Sequence, residues 1–558
     1  MVNLPQLLID VIDQITANET AFKESCRGFE RLLLLEVIRE ADLVGYARAF
    51  DPGRQIPGAP GHLDLVWTGL AHAFDLLGPT AMAGPGMMWD RSVPERTAWA
   101  MGFIRRCGLV TLLRRYAQLV RRDLATVEVV SANQLRFRIH GQDLEALDRD
   151  AIQWHSKRVQ FQQRPILEAF HQRYGEAIAA ELRARAQSDP LFGIRYSSSR
   201  ELEECFEFEA ELRAATLPGS DCLPNSARLG PLTFGEYRRV VVAGIARCFK
   251  HAAFVTTLLA KDPSVPSTAL TIHAEERTLK KEWGGLLDLD DATAAVLLDV
   301  LSVTPDDLPE IRRTLDCPQA LLVRAGDTFW HEPVFGGLNN PFGWITAKLR
   351  RRFRPDWDRA VGARETQFRS DLQVAFPEPR FWFAPTTVKL RRGGNIDTDI
   401  DAVLIDRQCG TMGVFQLKWQ DTFENSLAER ESRFTNLSKE GNNWIAKLAE
   451  LSSGLSPRET ASRLGAPPSL AGEVQAIRIF ILTKNAARFS GPERQNQSAA
   501  WLSWYELLRR RDRAVRQPDI LSTVWSGARR ARARSPESAK SSFVVDGFCV
   551  EVVHALEP

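Results

Sequence analysis

Asp399-Ile-Asp-Ala-Val-Leu-Ile-Asp-Arg-Gln-Cys-Gly-Thr-Met-Gly-Val-Phe-Gln-Leu-Lys-Trp419 is the stretch on which the reading of this chain turns. Apolar-rich runs stand on either side of Cys409–Gly413, so the pattern predicts strand, turn and strand. Side chains alternate faces along a strand. Asp399, Asp401, Val403 and Ile405 therefore share one face, and on the next strand so do Val414, Gln416 and Lys418. A tight turn would pair Ile405 with Val414, Val403 with Gln416, and Asp401 with Lys418. An acid and a lysine then meet inside strands built largely of apolar residues, where charge is costly unless paired or metal-bound.

Working outward, Asp358–Ala375 reads as a helix and Trp382–Lys389 as a strand with a turn at Gly393-Gly394-Asn395. Downstream come a helix over Phe423–Leu451, a loop rich in Ser, Pro and Gly over Ser452–Gly472, an apolar and so central strand over Val474–Leu482, and a helix over Ala499–Arg511. Trp501 and Trp504 are expected to pack on that last helix. The predicted order is α-β-β-β-α-β-α.

Phosphodiester cleavage needs this kind of residue collection. A hard cation takes carboxylate and carbonyl oxygens and keeps waters, and it polarises a phosphoryl oxygen and activates a water. A lysine stabilises developing charge. Asp401 would be the metal ligand, Lys418 the electrostatic partner, and Gln416 a neutral ligand. Asp399 faces the same way and could replace or assist Asp401, whereas Asp397 reads as a turn residue. The purely structural alternative is an amphipathic surface hairpin with an Asp–Lys cross-strand pair.

These residues resemble the PD-(D/E)xK restriction-endonuclease-like superfamily. The matching text is Arg364-Glu365 on the first helix, Asp399-Ile-Asp401-Ala-Val-Leu-Ile on one strand and Val414-Phe-Gln416-Leu-Lys418-Trp on the next, about 160 residues of 558 in all. The resemblance implies that Asp401 is the motif aspartate, Lys418 the motif lysine and Glu365 the helix carboxylate completing a Mg²⁺ (or Mn²⁺) site. Gln416 departs from the usual Asp or Glu, in a Gln-x-Lys form similar to the Mrr-type branch. The loss of one negative charge leaves open a nuclease fold that binds nucleic acid without cutting it. The resemblance also implies a DNA substrate, a restriction or anti-phage role, and a homodimer or a separate NTPase or sensor as partner.

The rest of the chain is less specific. Its length of 558 residues is too great for one core and predicts several domains. The expected division is a mainly helical unit over 1–192, a helical α+β unit over 193–348 that could be winged-helix-like, and the nuclease-like unit over 349–558. The expected fold class is thus multidomain α+β, with helical units ahead of an α/β domain on a mixed central sheet. In the first unit, Thr126–Val130 and Leu135–Ile139 read as a hairpin. A polar helix over Leu144–Gln187 is expected to kink or break at Pro165. In the second, Thr233 with Glu236 reads as a capping box, and Asp290 and Thr304-Pro305 as helix starts.

Charge is uneven. Residues 350–558 hold 33 basic and 25 acidic side chains, or +8, against +2 for the whole chain. Arg350, Arg351, Arg352, Arg391 and Arg392 are the candidate phosphate contacts, with a solvated helix face as the plainer account of the first three. None of the eight cysteines forms a Cys-x-x-Cys pair, which argues against a zinc site or a disulfide scaffold. There is no Gly-x-x-x-x-Gly-Lys-Ser/Thr loop, no His-x-x-x-His pair and no Gly-x-Ser-x-Gly elbow. The acidic start and the lack of an apolar run of ~20 residues lead to the expectation of a cytoplasmic protein with no membrane partner.

Overall fold

A computed structural model describes residues 6–25, 27–50, 62–85, 89–140, 144–262, 267–392, 395–420, 427–489, 495–531 and 540–554. Within them the chain is mixed α/β, with helices around several mixed sheets. After a helix over Gln6–Ser25 come α1 (Glu30–Phe50), α2 (His62–Ala81) and α3 (Pro94–Arg121), the last opening on a proline at its first turn. α2 and α3 touch backbone to backbone. A Cβ on Gly69 would lie 2.1 Å from the Ile104 carbonyl oxygen, and one on Gly108 2.1 Å from that of Leu65. A hairpin follows, β1 (Ala125–Ser131) and β2 (Gln134–Ile139), and then α4 (Glu145–Arg185). α4 runs through Pro165 without the break that the sequence allowed there. Its helix bonds on either side carry it past the one amide that proline lacks.

Beyond a helix over Arg200–Ala214, α5 (Phe234–Lys261) starts on the expected capping box, with the Thr233 hydroxyl and the Glu236 carboxylate bonding each other's backbone amides. α5 is, among the described residues, long and apolar enough to cross a membrane. Val240, Ile245, Phe254 and Val255 on it are buried in a core. Strands β3 (Ile272–Glu275), β4 (Ser302–Val303), β5 (Leu322–Arg324) and β6 (Phe329–Glu332) form a sheet of order β3-β6-β5-β4, with the hairpin of β5 and β6 at its centre. α1 and α2 share a core with this region through Ile38, Phe74, Val303 and Phe335. Buried Asp42 fixes the contact, accepting from the Phe335 amide at 2.9 Å and the Thr271 hydroxyl at 2.6 Å.

Two consecutive helices, α6 (Pro341–Arg352) and α7 (Arg354–Ala375), lead to the C-terminal sheet. Its strands are β7 (Phe381–Phe383), β10 (Ala402–Asp406), β11 (Thr411–Lys418), β12 (Ala476–Thr483) and β13 (Ala499–Ser503), hydrogen-bonded in that order. β7, β10 and β11 are antiparallel, whereas β11, β12 and β13 are parallel. β8 (Val388–Arg392) and β9 (Asn395–Ile400) form a separate ribbon ahead of β10. One face of the main sheet packs on α7, α9 (Trp504–Ala514) and α10 (Ile520–Arg529) through Phe368, Phe415, Phe480 and Leu507. The other packs under α8 (Leu427–Ser452) through Val403, Val414, Ile481 and Trp444. Each strand is apolar on both faces because both are covered.

Three expectations are corrected here. The strand over Asp399–Asp406 breaks at Asp401, and that over Trp382–Lys389 breaks after Phe383. Residues 499–503 are a strand, so Trp501 lies in the sheet and only Trp504 begins a helix. The run Ala-Ala-Trp-Leu-Ser is apolar enough for either element, and pairing with β12 decides it. Finally, the chain returns to its start. β14 (Lys540–Val545) and β15 (Phe548–His554) complete a sheet of order β1-β2-β15-β14, with β15 parallel to β2. Residues 540–554, which lie within the expected 349–558 unit, thus pair with the first hairpin.

Candidate active site

The Asp406 and Thr411 backbones pair across a four-residue turn, which sets the register Val403 to Val414 and Ala402 to Phe415. This differs by two residues from the expected pairing. A shift of two keeps every side chain on its expected face and moves Gln416, not Lys418, opposite Asp401. The Gln416 amide Nε2 donates to Asp401 Oδ2 at 2.7 Å, and the Leu417 backbone N–H donates to the same oxygen at 2.7 Å. Asp401 (8% exposed) and Gln416 (6%) are both buried. With Nε2 turned to the carboxylate, Gln416 Oε1 is buried and has no hydrogen-bond partner.

Burial pushes the Asp401 carboxyl up to about 7, with the Glu365 and Asp399 charges adding to the rise against the Leu417 amide and the Lys418 ammonium. Glu365 lies exposed on α7 and Asp399 at the end of β9. The expected collection is therefore brought within electrostatic reach: Asp401, Gln416, Glu365, Asp399 and Lys418. Lys418 does not bond Asp401. Its ammonium sits 3.4 Å from the Glu440 carboxylate on α8, with the lysine side chain 29% exposed. Asp397 lies within β9 and not in the expected turn, and its carboxylate pairs with Lys447 at 3.2 Å. Among the described residues, no group of three or more His, Cys, Asp or Glu side chains converges as a metal set. An amide in place of the third carboxylate is consistent with that.

Two positioning groups were not visible in the strand pattern. Arg369, four residues after Glu365 on α7, donates through Nε to the Asp401 carbonyl at 3.1 Å and also bonds the Ala384 carbonyl. It clamps the two strand ends at the break where Asp401 sits. The i, i+4 spacing from Glu365 could have pointed to it. Arg364 is buried between the rings of Trp357 (4.8 Å) and Trp419 (5.8 Å) and fixes the helix face that presents Glu365.

Three of the candidate phosphate contacts are engaged in ion pairs. Arg350 pairs with Glu429 at 3.2 Å, Arg351 with Asp307 at 2.9 Å, and Arg352 with Asp299. They tie α6 to its neighbours through ion pairs. The side chains of Arg391 and Arg392 lie outside the described residues. No family model matches the chain, and no curated protein or solved structure matches it either.

Proposed function

We propose that the C-terminal sheet carries a metal-dependent endonuclease centre of the PD-(D/E)xK type, acting on nucleic acid, with DNA as the first substrate to test. The observation that carries the reading is the Asp401–Gln416 pair, a buried carboxylate with a raised pKa beside a buried amide oxygen that lacks a donor. Such a pair is unfavourable on its own and fits a cation. Asp401, Gln416 Oε1 and Glu365 would hold Mg²⁺ or Mn²⁺. When bound, the ion supplies Lewis-acid polarisation of the phosphoryl oxygen and a water of lowered pKa. The protein groups do the rest. The Gln416 amide and the Leu417 N–H orient the Asp401 carboxylate, and Arg369 fixes its backbone. Lys418, once released from Glu440, neutralises charge on the scissile phosphate. A role in restriction or phage defence is part of the same proposal and rests on the resemblance alone.

A second reading, a nuclease-type fold that binds nucleic acid without cutting, is favoured by the neutral Gln416 and by the Lys418–Glu440 pair. Nicking of plasmid and single-stranded DNA with Mg²⁺ or Mn²⁺ separates the two. Cleavage that Asp401→Ala and Lys418→Ala both abolish supports the first. Absence of cleavage on DNA and RNA, with salt-sensitive binding unchanged in both variants, supports the second.

A further inference from the structure

From Trp504 to Arg530, the stretch that forms α9 and α10, the chain carries seven arginines, no lysine and three acids, Glu506, Asp512 and Asp519. All three acids are engaged. Glu506 is buried against Arg488 and Arg510, and Asp512 pairs with Arg511 and Arg158. Asp519 caps α10 and accepts from the Thr411 hydroxyl. Among the described residues, Arg509, Arg513, Arg516 and Arg530 stand in no ion pair. Arg509 and Arg513 are four residues apart on α9, and Arg516 follows three further on, in the turn beyond it. That spacing keeps the three on one side. Arg530 closes α10, and the Arg510 guanidinium beside Gly527 puts that end of α10 against α9. Arg513, Arg516 and Arg530 are exposed and Arg509 is half-buried. Burial, with the Arg510 and Arg513 charges, lowers the Arg509 pKa against the pull of Glu506 and of Asp150 on α4.

We infer that this arginine surface holds the phosphate backbone of a nucleic-acid duplex, whatever its sequence. Like charges gathered without acid partners repel one another, and a polyanion relieves that repulsion. Arginine suits phosphate better than lysine does, because its planar fork meets two phosphate oxygens at once. A duplex presents about one charge per 1.7 Å of its axis, so a row rising roughly 10 Å over seven helical residues meets it at several points. A protein partner would ask for an apolar centre. Among the described residues of α9, α10 and the turn between them, Val515 alone is a large apolar side chain that is exposed. The inference shares its partner with the nuclease reading but rests on other residues and another face. α9 and α10 pack on the sheet face that carries Phe415 and Phe480, whereas Gln416 shares its face with Val414, under α8. The surface is thus an anchor set apart from the candidate centre.

Titration of a short fluorescein-labelled DNA duplex with the full chain, read by anisotropy in EDTA from roughly 50 to 200 mM KCl, tests it. The wild type is expected to bind with a steep loss of affinity as salt rises. The triple variant Arg513→Gln, Arg516→Gln, Arg530→Gln, checked for an unchanged thermal midpoint, is expected to bind tenfold or more weakly at the lowest salt. Its salt slope should fall by roughly 2 to 3, about one for each lost phosphate contact. A control triple, Arg200→Gln, Arg354→Gln, Arg359→Gln, removes three exposed arginines that do have acid partners. It is expected to bind within twofold of the wild type. The inference is overturned if the wild type binds no duplex at low salt, or if the folded first triple binds as the wild type does. It is equally overturned if the control triple loses as much, or if polyglutamate of the same total charge competes as well as unlabelled duplex. Binding is read without cleavage, so an inactive nuclease centre leaves a positive result intact. Cleavage that the first triple retains in full, with its duplex affinity unchanged, would sink this inference and leave the nuclease reading standing.

Discussion

Gln416 makes two opposite demands on its surroundings. Its amide nitrogen steadies Asp401, and its oxygen is left buried without a donor. Gln416→Glu would put a second carboxylate against Asp401 Oδ2, where like charges repel and neither is solvated. In EDTA the variant is expected to lose roughly 2 kcal/mol of stability in urea unfolding. Mg²⁺ is expected to restore that loss and to raise any nicking rate. A variant as stable as the wild type in EDTA and indifferent to Mg²⁺ would count against a cation at this position. Arg369 acts one step further out, through the Asp401 carbonyl. Arg369→Ala is expected to cost roughly 1.5–3 kcal/mol, as for a hydrogen bond from a charged donor. Arg369→Lys should recover part of the stability without restoring cleavage, because a single ammonium cannot bridge both carbonyls. Full activity in Arg369→Lys would show that the clamp is not what positions Asp401.

At the scale of elements, the alternation of apolar and charged residues was enough to put Asp401, Gln416 and Lys418 on one face, and that held although the register differed by two. Period-two patterning carries the face and not the register, which the four-residue turn sets. The break at Asp401 was hidden for a similar reason. Ile400 and Ala402 read as one run, and only the separate pairing of β9 with β8 divides it. The capping box at Thr233 was legible because it is local, two side chains answering two amides. β15 was not, since its partner β2 lies some four hundred residues earlier and nothing in Phe548–His554 names it. That pairing makes a further prediction. Phe543, Val545, Val550 and Val552 are buried against Leu65, Leu113 and Phe137. Ending the chain after residue 531 is expected to uncover this core and to raise amide exchange in α3 and β2, with β11 and β12 unchanged. Equal loosening of both sheets would mean that the two cores unfold as one unit.

Across the whole molecule, several ionisable groups are buried in cores that join distant parts of the chain, and their titration sets how acid acts on the fold. Burial lowers His72, His251 and His273 from 6.5 to about 4. The unfolded chain takes up protons at these sites as the pH falls below about 6.5, and the native one does so only near 4. Their contribution to stability is therefore full above 6.5 and is lost as the pH falls through this window. Asp148, raised to about 6 chiefly by burial, works the other way, favouring the folded state at low pH and losing that advantage as the pH rises towards 6. His251 isolates one sign. It sits in the middle core, with Nδ1 at 2.9 Å from the Tyr196 hydroxyl and Nε2 at 2.7 Å from the Ala269 carbonyl. His251→Gln is expected to be less stable than the wild type at pH 7.5, because those bonds are weakened. On moving to pH 5.0 the wild type alone pays the histidine penalty, so the gap between the two should narrow by about 2 kcal/mol in urea unfolding. A gap of the same size at both pH values would mean that His251 takes up its proton in the folded state as readily as in the unfolded one, and that the core around it admits the charge.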